Sequence, residues 1–147
     1  MSDLETIRKW IMTYPEMDAL QELRIDYYAA QPENGTVAPS GLTEISRIED
    51  ILGKVTVENQ YNFGLYCVLT NGAQDDDGVA ANAVWIMGLQ QWVQEQSVLH
   101  QAPTFGDEAG TERIYAHNGA LYAINEDGTA TYFLRLTVDF KKTYEVN

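Results

Sequence analysis

The stretch Thr129–Lys142 reads TATYFLRLTVDFKK, and its alternation decides the fold. Ala130, Tyr132, Leu134, Leu136, Val138 and Phe140 fall on one side of an extended chain. Thr131, Phe133, Arg135, Thr137 and Asp139 fall on the other. Successive strand side chains point to opposite faces, so this pattern predicts a strand with one buried face. Residues 55–69 carry the same signal. Val55, Val57, Tyr61, Phe63, Leu65, Cys67 and Leu69 hold odd positions, and Thr56, Glu58, Gln60 and Asn62 even ones. Gly64 inside this run predicts a bulge.

Working outward, Asn118-Gly119 is the strongest two-residue hairpin signal in the chain and predicts strands at 112–117 and 120–125. Asp127-Gly128 then turns into the last strand, so the C-terminal third reads as a meander. Residues 22–29 alternate and predict a half-buried strand. Residues 31–41, QPENGTVAPSG, hold two prolines and two glycines and read as a loop. Residues 42–48 are ambiguous, with a short strand the better reading, and 50–54 read as a turn.

Two segments carry helical periodicity. Ser2 and Glu5 are spaced as a capping box, and Leu4, Ile7, Ile11 and Tyr14 follow on one face until Pro15. Residues 78–97 form the main helix, preceded by Asp75, Asp76 and Asp77. One stripe holds Val79, Ala83, Ile86, Gln90 and Val93, and a second holds Trp85, Leu89 and Trp92. A helix apolar over so much of its circumference is either sandwiched or turned toward a partner. The expected fold is therefore α+β, a mostly antiparallel sheet flanked by two α-helices, in one domain spanning 1–147.

Composition narrows the function. The 147 residues carry a net charge of −13 with only nine Lys and Arg, which argues against binding a phosphate backbone. The one cysteine, Cys67, allows no internal disulfide and no Cys-rich zinc site. No apolar run is long enough to span a membrane. The first residues lack a basic and then apolar leader, so a cytoplasmic location is expected.

Catalytic and metal motifs are missing. With Gly78 at position 6 of a calcium loop, Ala73 and Val84 would stand where ligands are needed, so the pattern fails. The aspartates read as a helix cap. His100 and His117 have no Ser, Cys or acid at motif spacing and read as turn histidines. Cys67 reads as a buried structural thiol. No phosphate loop, dinucleotide fingerprint or nucleophile elbow occurs. The expectation is a protein without catalytic residues, metal or cofactor.

Aromatic residues are less easily absorbed. Tyr28, Tyr66 and Phe133 fall opposite their strands' main apolar runs, beside Arg135. Either helices cover both sheet faces, or this second face meets another subunit. Tyr28, Tyr66, Trp85, Trp92, Phe133 and Arg135 are the candidate subunit-interface residues.

The pattern as a whole resembles the small tail-terminator and minor capsid proteins of the head–tail joining region in siphophages and prophages of Gram-positive bacteria. The likeness covers most of the chain. It is carried by Gln60-Tyr61-Asn62-Phe63-Gly64-Leu65, by Ala80-Ala81-Asn82 with Trp85 and Trp92, and by Glu126 to Tyr132. It implies a non-enzymatic assembly role: a ring, often a hexamer, that caps the tail tube and presents a surface to the head connector. The implied partners are further copies, tail-tube protein and head-connector protein. The implied locations are the bacterial cytoplasm during assembly and then the virion. A connector adaptor, or a monomeric acidic protein-binding module, are the alternatives. An acetyl-transfer reading finds no His-x-x-x-Asp pattern to support it.

Overall fold

The computed structural model describes residues 2–17, 22–25, 34–69, 76–107, 109–124 and 129–146. Their elements are α1 (Asp3–Ile11), β1 (Glu22–Ile25), β2 (Asn34–Glu49), β3 (Lys54–Leu69), α2 (Asp76–Val98), β4 (Arg113–Ile124) and β5 (Ala130–Glu145). The strands form one sheet in the order β1-β2-β3-β5-β4. β1 runs parallel to β2, and every other pair is antiparallel. The α+β class and the mostly antiparallel sheet expected from alternation are both present.

β3 and β5 form the centre of this sheet. They pair without a register shift from Lys54↔Glu145 to Leu69↔Ala130. Phe63, Leu65, Cys67 and Leu69 therefore share a face with Tyr132, Leu134, Leu136 and Val138, and all are buried. Gly64 keeps its register and forms no bulge, contrary to expectation. Its lack of a side chain instead admits the Phe133 ring, whose Cε2 would lie 2.9 Å from an added Cβ.

Both helices lie against that one face. α1 starts where expected, with Ser2 Oγ accepting from Glu5 N at 3.2 Å. It ends at Ile11, before Pro15, and a turn carries Tyr14 and Met17 into the core. α2 buries Trp85, Ile86, Leu89 and Val93. The helices are locked by aromatic contacts: Trp10 on Trp92 at 4.7 Å, Tyr14 on Trp92 at 5.4 Å and on Trp85 at 5.8 Å. Each of two indole N–H groups finds a carbonyl at 2.9 Å, Trp10 at Gln101 and Trp85 at Glu16. Helices on both faces, one of the two expectations, are not seen among the described residues.

Two loop assignments are corrected. Residues 34–41, read as loop, belong to β2. β1 covers its outer side only from Asn34 to Val37, so Pro39, which lacks an N–H, falls on an unpaired edge where that is tolerated. Register shifts at Pro39/Gly41 and Glu44/Ser46 broke the alternation that would have marked the strand. Residues 26–33 of the predicted strand and loop, Asp75 and the Asp127-Gly128 turn lie outside the described residues.

Asn118-Gly119 is not a hairpin. β4 runs on through it, and both halves pair with β5 across a register shift between His117 and Ala120. The glycine serves a close approach: an added Cβ would stand 2.8 Å from Ile86 Cγ2 on α2. A bulge there lets the strand bend under the helix.

The segment before β4 extends the sheet edge. Glu112 is 1% exposed, and its Oε2 accepts from Phe105 N at 3.0 Å and Gly106 N at 3.3 Å. This holds the Phe105 ring among Tyr61, Phe63 and Phe140. Asp107 N then donates to Lys141 O, and Asp107 Oδ2 accepts from Thr143 N. Gly106 lies against the Lys141 carbonyl with no space for a side chain. Gly106→Ala is expected to lower unfolding free energy by about 2–3 kcal/mol. Urea midpoints measure this, and an unchanged midpoint contradicts the packing.

Burial pushes the Cys67 thiol up to about 12 from its ordinary 9. Between those values the unfolded chain binds fewer protons than the folded one. Stability therefore falls as pH rises through pH 9–12, by up to about 1.4 kcal/mol per pH unit. Burial also raises the phenols of Tyr14 and Tyr132, in the latter against a hydrogen bond with Asn82, and both act in the same direction. Urea titrations over this window should show the decline, and Cys67→Ala should flatten part of it. A flat profile for the parent chain contradicts the buried-thiol reading.

Candidate functional site

Three surfaces remain after the core is accounted for. The first is an arm. The paired strands β2, β3 and β5 run on past the helices, and every residue from Pro39 to Leu52 is exposed. The eight residues Leu42–Glu49 alone extend about 25 Å at strand rise. Apolar side chains concentrate here: Ile51 is 101% exposed, Leu52 81%, Ile48 69% and Leu42 56%. Ile45, Tyr144 and Val146 are exposed beside them. On the helix-side face of the arm, Leu42, Val55, Val57, Tyr144 and Val146 line a concavity of ≈ 560 Å³. Arg47 stands over it, 2.7 Å from Glu44 Oε1 and 3.9 Å from Glu49 Oε1. These ion pairs are open to water and contribute little stability. The turn is built by Asp50, whose Oδ1 accepts from Leu52 N and Lys54 N, with Gly53 at φ +90°.

The second surface is the sheet face opposite the helices. Tyr66 and Phe133 pack at 4.9 Å, with Tyr122 at 5.5 Å from Tyr66 and 6.3 Å from Phe133. Below them, Asn62 Oδ1 accepts from Arg135 at 3.2 Å and from Thr137 at 3.0 Å. Gln60 donates to Asp139 at 3.2 Å. These polar groups and the stacked Tyr115 and His117 rings border a shallow concavity of ≈ 500 Å³.

The third surface is a cleft where α2 overhangs the edge strand β4. It encloses ≈ 550 Å³ between Gln90, Gln91, Gln94, Ser97, Val98 and His100 on one side and Arg113–His117 on the other. Ser97 Oγ accepts from Ile114 N at 3.1 Å, so that strand N–H points outward and the helix is tied to the edge. His100 sits just past the helix at φ +59°, the left-handed position glycine usually holds.

The candidate interface residues separate. Tyr66, Phe133 and Arg135 share the open sheet face as expected. Trp85 is 8% exposed and Trp92 half-buried; Trp10 of α1 engages the Trp92 ring, and Tyr14, just past α1, engages both. Tyr28 lies outside the described residues. Sequence reading passed over Tyr122 and the arm. The arm's signal was Leu42, Ile45, Ile48, Ile51 and Leu52 in a segment with few turn residues after Gly41.

The cleft is lined by both histidines and Arg113 and by no described carboxylate; Asp139 and Glu58 border the same residues in the adjoining concavities. Among the described residues no carboxylate pairs with either imidazole, and no cluster has metal-binding composition. No described helix is long and apolar enough to cross a membrane. No protein-family model matches the chain, and no curated protein matches it.

A left-handed histidine stores strain that glycine would not. His100→Gly is expected to raise stability by about 0.5–1 kcal/mol, read as a higher thermal midpoint. A lower midpoint would mean that the imidazole makes a stabilising contact in the cleft.

Proposed function

We propose that this chain is a structural protein of the phage head–tail junction, a tail terminator whose copies close as a ring on the end of the tail tube. It acts by binding, without catalytic residues or cofactor. One observation carries the reading: the arm exposes Leu42, Ile45, Ile48, Ile51 and Leu52 together outside the core. Monomeric proteins rarely expose such patches, which mark interaction sites. The open aromatic sheet face and the α2–β4 cleft give the subunit further patches that differ from the arm. A closed ring of identical chains needs two different patches per subunit. The net charge of −13 also suits a protein that stands beside DNA without adhering to it.

Light scattering after size exclusion tests the ring, with the monomer at 16.5 kDa as reference. A discrete mass near six chains, with rings in negative stain, is the expected outcome. Added tail-tube protein should then carry the chain at tube ends and stop growing. A monomer that tubes ignore would favour the connector-adaptor or binding-module alternatives.

A further inference from the structure

We propose that the outer edge of β2 in one copy docks along β4 and beneath α2 of the next copy, continuing the sheet from subunit to subunit. The inference rests on the ring reading and names its contact.

Three observations converge. Both edges lack a strand partner where they would meet: β1 covers β2 only to Val37, and no described strand pairs with the outer side of β4, where Ser97 takes the Ile114 N–H alone. Long open apolar edges are hazards that proteins normally cover, and Leu42, Ile45 and Ile48 lie on this one. The directions also agree. β2 runs opposite to β3, β3 to β5 and β5 to β4, so β2 and β4 point in opposite directions. Copies related by rotation about an axis near the strand direction then place β2 antiparallel to β4, the stronger ladder.

Charge selects the same pair. The arm segment Leu42–Asp50 carries Glu44, Glu49 and Asp50 against Arg47 alone. The cleft is lined by Arg113, His100 and His117 and by no described carboxylate, while Asp139 and Glu58 border the same three residues from the open sheet face, in a chain where acids outnumber bases 22 to 9. An acidic extended strand with exposed apolar side chains is what such a groove between helix and edge accepts. Each copy then offers one arm and one cleft, a head-to-tail arrangement that can close.

The test mixes two single-cysteine variants, Ile45→Cys on the arm and Tyr115→Cys at the cleft, with a short bifunctional maleimide. Native Cys67 is fully buried and stays silent. Cross-linked dimers are expected from the mixture and from neither variant alone. In parallel, Arg113→Glu with His117→Glu should weaken self-association about tenfold, and Glu44→Lys with Glu49→Lys added to the same chain should recover it. Arm-to-arm dimers from Ile45→Cys alone overturn the proposal, as does assembly indifferent to both charge changes. In those cases a ring can still stand on another contact. A chain that stays monomeric at its highest soluble concentration also overturns it, while tube-end capture decides the terminator reading separately.

Discussion

The unbroken pairing of β3 with β5 is the constraint on which the rest depends. Sixteen residues of one strand face sixteen of the other without a shift. A slip of one residue would turn every side chain to the wrong face. Phe63, Leu65 and Cys67 would leave the core, and Asn62 and Arg135 would enter it. Such a register is fixed by burial at one end of the ladder only. At the other end it is carried by the ladder itself, because no described helix covers the arm.

That division organises the molecule. Where helices lie on the sheet, the indole N–H groups of Trp10 and Trp85 are satisfied and aromatic rings interlock. Trp10, Tyr14, Trp85 and Trp92 form one contact set, and the Glu112 carboxylate holds the Phe105 loop beneath the sheet. Beyond the helices, the same strands continue with Ile48, Ile51 and Leu52 in water. A fold designed only for its own stability has no use for this extension. The proposed assembly role gives it one.

Much of the fold was legible because burial imposes period. β3, β5 and both helices follow patterns that survive to the core: Leu134 and Leu136 are buried, and Ile7 and Ile11 line the docked side of α1. What failed to read has a common cause. β2 is broken by two register shifts and contains Pro39 and Gly41, so its pattern is that of a loop. Asn118-Gly119 has hairpin chemistry, but tertiary contact with Ile86 recruits it as a bulge. The aromatic pair Tyr66 and Phe133 was legible as a breach of alternation. The cleft was not, since it brings residues 90–100 against 113–117 and no local pattern encodes that. Trp85 and Trp92 read equally well as core or contact, and only the position of α1 decides between them.

The exposed arm has a consequence for the timing of association. Copies that meet through it bring two bodies of charge −13 together. Their repulsion acts before any apolar contact forms, and it decays over about 8 Å at physiological ionic strength. In the proposed assembly the acidic surface is thus a colloidal brake on the docking edge. Ionic strength sets how far the brake is released, and a basic companion surface would release it locally without any change in the arm.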